Sequence, residues 1–87
     1  MSEAGTPIAW VALEKGAPIF SSDGLELGKL AHVIADEQKD IFSGLTLDPG
    51  LFKHERFVPA DLVADMTTRG VTLTLSSADA ERRLERA

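Results

Sequence analysis

The sequence has no cysteine, which removes disulfides, thiolate nucleophiles and cysteine-ligated zinc from the chemistry available to this chain. It is also poor in histidine, and its two histidines, His32 and His54, form no H-E-x-x-H or comparable metal-ligand pattern. No apolar run approaches the roughly 18 residues of a membrane span, and the first ten residues lack the basic and apolar segments of a signal peptide. Together these absences predict a cytoplasmic protein with no membrane span.

Basic residues are scarce as well. Nine Lys and Arg stand against fourteen Asp and Glu, which gives a net charge of −5 at pH 7 and an isoelectric point of about 4.8. Because nucleic-acid affinity comes mainly from Lys and Arg that neutralise phosphates, direct nucleic-acid binding is not expected. Binding to an anionic membrane surface is disfavoured for the same reason.

The chain is short but has the composition of a folded domain. Its 87 residues are 44% hydrophobic and 26% charged, which is close to ordinary globular usage. Residues 1–7 are small and polar and predict a flexible lead-in, followed by a single domain over residues 8–87. A core of this size is marginal on its own, which leaves room for a homodimer.

Turn residues divide the first half of the chain into short apolar segments. The Asp23-Gly24 pair supplies the positive φ of a tight turn, so residues 18–21 and 25–36 are predicted to form a hairpin. The apolar spacing within 25–36 also fits a helix. Gly28 and the preceding turn favour a long strand, bent at a glycine or a bulge.

The second half continues in the same way. Residues 41–47 predict a strand that is apolar on both faces, and residues 57–58 predict a short strand that Pro59 ends. Residues 60–66 predict a 3₁₀ turn followed by a brief strand. The clearest strand is 71–75, where β-prone residues alternate strictly with period two.

The pattern changes after this strand. Ser76 and Asp79 have the spacing of a capping box with Asp in place of Glu, and the following residues contain no Gly, Pro or β-branched side chain. A short C-terminal helix is therefore predicted over residues 77–86, with Leu84 as its large apolar anchor. The predicted fold class is mainly β, a small β-barrel of about six short antiparallel strands with one C-terminal helix.

Three segments of the sequence resemble the PRC-barrel family, namely Ala17–Leu30, His32–Asp36 and Phe57–Val63. The family pattern is a strand, a Ser-x-Asp-Gly turn, a Gly-Lys-Val/Leu step, an apolar strand ending in Asp, and later Val-Pro before a short acidic turn. The resemblance covers about residues 15–80. It implies a compact barrel of about six strands that serves docking and assembly rather than catalysis.

The best-known members of this family are the cytoplasmic domain of the photosynthetic reaction-centre H subunit and the C-terminal domain of a ribosome maturation factor. The first has an amino-terminal membrane helix and the second has a preceding domain, and this sequence shows neither. Photosynthetic and ribosomal roles are therefore not carried over with the fold. The sequence is more similar to stand-alone bacterial members.

Polar residues that could suggest catalysis or metal binding are explained by turns. The Ser21-Ser22-Asp23 string has no base in register and fits turn geometry. The carboxylates of residues 36, 37 and 40 surround one turn, but Gln38 and Lys39 between them spoil a cation-binding loop. No catalytic, cofactor or metal site is predicted.

One loop carries a candidate partner-binding site. Leu51 and Phe52 are large apolar residues directly after an Asp-Pro-Gly turn, where a loop tip is normally polar. They predict either a contact patch, with Arg56 at its rim, or a loop that folds back under the end of the barrel.

Two functions from different classes follow. The first is a non-enzymatic interaction module, without a cofactor, that binds a protein partner or itself through sheet edges and the Phe52 loop. The alternative is a ribosome- or RNA-processing-associated accessory factor that docks on a ribosomal protein. An enzyme ranks third, because it would need a pocket with a perturbed acid or base.

Overall fold

The computed structural model describes residues 10–36, 38–39, 41–50 and 54–86. The predicted lead-in at 1–7 and the candidate residues Leu51 and Phe52 lie outside these ranges. The described chain contains seven strands, one α-helix and two 3₁₀ segments. In chain order they are the 3₁₀ segment Trp10–Ala12, β1 (Pro18–Phe20), β2 (Glu26–Asp36), β3 (Ile41–Asp48), β4 (Arg56–Pro59), the 3₁₀ segment Ala60–Leu62, β5 (Val63–Thr67), β6 (Gly70–Leu73), α1 (Ser77–Arg83) and β7 (Glu85–Arg86).

The strands form one sheet in the order β5-β6-β1-β2-β3-β4-β7. This confirms the mainly β class, but the sheet is not closed into the predicted barrel, because β5 and β7 are edges in the described part of the chain. Pro59 has no N–H to extend β4, and the 3₁₀ turn after it carries the chain to the β6 side. The edge of β4 that faces away from β3 pairs with the two residues of β7.

The prediction that all strands are antiparallel is wrong at one place. β1 and β6 pair in parallel, through Ile19 opposite Val71 and Phe20 opposite Thr72. Gly70, the first residue of β6, lies directly before this pair. A Cβ built on Gly70 would lie 2.3 Å from the carbonyl oxygen of Pro18. The parallel pair therefore depends on a residue without a side chain.

The hairpin predicted at Asp23-Gly24 is confirmed. Gly24 has φ of +90°, and β1 and β2 flank the turn as antiparallel neighbours. Residues 26–36 form one long strand, so the helical alternative is wrong. Gly28 lies against β3, where a Cβ would come within 2.3 Å of the Asp48 carbonyl oxygen.

The core lies between the inner face of the sheet and α1. Its buried members are apolar side chains of the strands, of the segment after β6 and of the helix, namely Ile19, Leu30, Leu45, Leu47, Val58, Val71, Leu73, Leu75, Ala80 and Leu84. The Trp10 ring stacks on Phe42, which packs against this core, with centroids 6.1 Å apart and planes inclined by 12°.

Helix α1 begins as predicted but ends earlier. The Ser76 side chain accepts a hydrogen bond from the Asp79 N–H at 3.2 Å, which is the expected N-cap. The helix ends at Arg83 instead of residue 86, because Leu84 turns to an extended conformation and is buried in the core. The next two residues then pair with β4. Within the described ranges, no helix has the length and apolar character needed to cross a membrane.

Candidate functional site

The outward side of strands β2, β3 and β4 carries an unusual amount of apolar surface. We call this surface the outer face and define it by residues that share one side of the sheet in the observed register, namely His32, Ile34, Asp36, Ile41, Gly44, Thr46, Phe57 and Pro59. Ile34 is 42% exposed and Ile41 is 50% exposed. An antiparallel sheet normally turns polar residues to water, so this face is a candidate contact surface.

The register explains why these side chains share one side. Residues 32–36 of β2 alternate between exposed and half-buried, as expected for a strand with one face to solvent. Ile34 lies opposite Gly44, Asp36 opposite Ile41, and His32 opposite Thr46. A bulge at the β3 position between Phe42 and Gly44 keeps Ile41 on the outer side while Phe42 packs inward.

The outer face is bulky at one end and flat at the other. At the flat end, the Phe57 ring lies so close to Gly44 that an added Cβ would be 2.9 Å from its Cε1 and Cζ atoms. Thr46, between His32 and Phe57, is only 6% exposed, and its Oγ1 has no hydrogen-bond partner in the described structure. Ile41 stands at the opposite end. The exposed apolar side chains of the face thus lie toward Ile34 and Ile41, whereas Gly44 and Thr46 are buried beside Phe57.

Two polar residues border the apolar centre along β2. His32 and Asp36 are both exposed, and four residues of extended chain separate them by about 13 Å, with Ile34 midway. The Asp36 Oδ1 atom accepts hydrogen bonds from the Gln38 N–H at 3.1 Å and from the Lys39 N–H at 3.4 Å. The carboxylate therefore fixes the turn after β2 while it remains open to solvent.

Arg56, predicted at the rim of a patch formed by Leu51 and Phe52, lies on the side of β4 opposite to the outer face. Its Nη1 donates to the carbonyl oxygens of Glu81 at 3.0 Å and Leu84 at 3.2 Å, at the end of α1. It also lines a small cleft of about 130 Å³ between α1 and the strands β2 and β3. Its observed role is to hold the helix.

A second polar cluster joins the β1–β2 turn to the start of α1. Ser21 is fully buried, donates its hydroxyl to Asp23 and accepts from the Leu25 N–H at 3.1 Å. Asp23 also accepts from the N–H and the hydroxyl of Ser77, each at 3.2 Å. The Ser21 hydroxyl is the main cause that lowers the pKa of Asp23 below its ordinary value, and the Ser77 donors add to it while partial desolvation opposes. The sequence indicated the turn, but not the contact with Ser77.

The described residues contain no cluster of potential metal ligands. Among residues 10–36, 38–39, 41–50 and 54–86, no three His, Asp or Glu side chains lie close enough together to hold an ion. His32 lies on the outer face and His54 lies just before β4, both exposed.

Sequence reasoning placed Ile34 and Ile41 in strands but did not single them out as surface residues. The signal that could have identified Ile34 is its period-two relation to His32 and Asp36, two polar residues on the same predicted strand. Ile41 follows a polar turn, and its outward direction depends on the bulge, which no local pattern indicates.

Comparison with known proteins adds no relative. Neither the models of protein families nor the curated proteins contain a match to this chain.

Proposed function

We propose that this chain is a non-enzymatic protein-interaction and assembly module of the PRC-barrel type that works in the cytoplasm. The observation that carries the proposal is the apolar outer face, where Ile34 and Ile41 are about half exposed. The solvent-facing side of an antiparallel sheet normally carries polar residues. Single exposed apolar residues are common, but these two lie on adjacent strands beside Phe57 and Pro59.

The family part of the proposal is supported by the motif residues in their observed local structure. The Ser-x-Asp-Gly segment forms the turn between β1 and β2, and Gly28 packs directly against β3. The Val58-Pro59 pair ends β4 and is followed by the short acidic turn that contains Asp61. Each part of the pattern thus has a structural reason at its position. A closed barrel is not part of the proposal.

Clefts large enough for a small ligand are open and shallow, which favours a protein partner over a small molecule. One of them, about 540 Å³, is lined by the segment 12–18 and by Thr67 and Thr68. Small-molecule sites are usually concave and bury most of the ligand. A flat apolar sheet surface instead fits another protein surface of similar shape.

The experiment is an affinity capture of the tagged protein from native cytoplasm, with four proteins compared in parallel. They are the wild type, an outer-face variant Ile34→Glu/Ile41→Glu, a loop variant Leu51→Ser/Phe52→Ser, and a control Leu25→Glu. Leu25 is 56% exposed but belongs to the β1–β2 turn, so the control replaces one exposed apolar residue by Glu on another surface. Circular dichroism verifies that each variant is folded.

We expect a specific protein, or untagged copies of this chain, to bind the wild type and the Leu25 control and to be lost from the outer-face variant. Loss from the loop variant alone would assign the contact to Leu51 and Phe52 instead. The same captured proteins in all four samples would contradict the proposal. Capture of ribosomal proteins would favour the accessory-factor alternative.

A further inference from the structure

The outer face is complementary to itself under one particular two-fold rotation. Along β2 it presents the order His32, Ile34, Asp36, which is an imidazole, an apolar residue and a carboxylate on one side of the strand. A two-fold axis that lies in the contact plane, perpendicular to β2 at Ile34, reverses this order in a second molecule. His32 of each copy then faces Asp36 of the other, and the two Ile34 side chains meet at the axis.

We infer that the occupant of the outer face is a second copy of this chain, packed face to face with its β2 strand antiparallel. The inference rests on the proposed function, because it uses the same surface and names the partner. Two hydrogen-bonded pairs between imidazole and carboxylate would flank the apolar centre. Aligned sheets that pack in this way are about 10 Å apart.

The shape of β3 supports the same rotation. Ile41 lies beside Asp36, and Thr46 lies beside His32, so the rotation that pairs His32 with Asp36 also brings Ile41 of each copy over Thr46 of the other. Ile41 of one copy then lies near Phe57 of the other, whose ring covers Gly44. The rotation thus brings apolar side chains together on both sides of the axis.

A two-fold axis that runs along β2 instead is disfavoured. It would place His32 against His32 and Asp36 against Asp36, so that two carboxylates would oppose each other, and it would put β3 of the two copies on opposite sides of the axis, so that the two Ile41 side chains would not meet. Like charges across an interface select against the wrong arrangement. The charge order on β2 therefore identifies one dimer geometry.

Sheet edges are the other surfaces at which strands of two molecules associate. The free edge at β5 fits a second copy less well, because a register irregularity between Val63 and Asp65 interrupts the pairing and Asp65 adds an exposed charge to this strand.

A charge-swap experiment tests the geometry by sedimentation equilibrium over micromolar to millimolar concentrations. We expect the wild type to form a dimer and Ile34→Glu to weaken it by at least about tenfold. His32→Asp and Asp36→Lys should each weaken it by about threefold to tenfold, the first because it opposes two carboxylates and the second because it removes the carboxylate that accepts from the imidazole. The double variant His32→Asp/Asp36→Lys restores opposite charges and should recover dimerisation.

The comparison between Asp36→Lys and the double variant is the decisive one. Both lose the turn hydrogen bonds of Asp36, so a difference between them reports the contact between molecules. Leu25→Glu, outside the face, should leave the dimer unchanged. Failure of the double variant to recover would overturn the antiparallel arrangement, and a wild type that stays monomeric at all concentrations would overturn the second copy as the occupant. A monomer that still captures another protein through the outer face would leave the proposed function standing.

Discussion

The close approach of β6 to β1 predicts that two glycines of positive φ will respond very differently to alanine. At Gly24, φ is +90° and a new Cβ would meet no heavy atom within 4 Å, so only conformational strain of about 1–2 kcal/mol is expected. At Gly70, φ is +135°, and the Cβ would lie 2.3 Å from the Pro18 carbonyl oxygen and 3.0 Å from Pro18 Cγ. Strain of about 1–3 kcal/mol is there joined by a clash of about 1–3 kcal/mol.

We therefore expect Gly70→Ala to lose about 3–5 kcal/mol of unfolding free energy and Gly24→Ala about 1–2 kcal/mol. For a domain of this size, each kcal/mol corresponds to roughly 4–8 °C in Tm. The assay is thermal and urea unfolding, followed by far-ultraviolet circular dichroism and by the fluorescence of Trp10, the only tryptophan. Equal losses at the two positions would refute the reasoning, because the parallel contact between Gly70 and Pro18 would then not exist.

Two further predictions concern the contacts that hold α1. Arg56→Met should lower the unfolding free energy by about 1–3 kcal/mol in urea titrations, because it removes the donor to the Glu81 and Leu84 carbonyls. The control Arg82→Met, at an exposed ion pair, should change the unfolding free energy by less than about 1 kcal/mol. A loss as small at Arg56 as at Arg82 would remove its structural role. The folded pKa of Asp23 lies below the unfolded value of about 3.9, so its stabilisation is present above that pH and is lost as the pH falls through the folded pKa. Asp23→Asn should flatten the decline of Tm below about pH 4, and the same decline in the variant and the wild type would contradict this role.

Most of the local structure follows from local patterns. The Asp23-Gly24 hairpin, the end of β4 at Pro59 and the Ser76 cap of α1 each depend on the conformational limits of a few neighbouring residues. Such limits act within a turn or a helix end, so the sequence alone indicates them. They do not determine how distant strands pair.

The features that the sequence did not indicate all depend on distant contacts. The parallel pairing of β1 and β6 brings together residues about fifty positions apart, and no local pattern at Gly70 indicates its close approach to β1. The early end of α1 depends on Arg56 and on the pairing of the next two residues with β4. The hydrogen bonds of Arg56 to the end of α1 likewise join residues 25 and 28 positions apart, so no local pattern indicates them.

The candidate site shows the same division. The alternation along β2 places His32, Ile34 and Asp36 on one side, and this could be derived from the strand period. That Ile41 and Phe57 share this side depends on the register between three strands and on one bulge. A register shift of one residue would move all side chains of a strand to the opposite face of the sheet. The residues that share a sheet face therefore cannot be identified from one strand alone.

The most direct measurement of the outer face is a dilution series of the isotope-labelled wild type, followed amide by amide in heteronuclear NMR spectra. As the concentration rises, the amides of residues 32–36 and 41–46 should shift together along one saturable curve. The amides of β5 and α1 should remain constant and serve as internal controls. Shifts confined to β5, or no concentration-dependent shift on the outer face, would contradict the proposal that a second copy packs there.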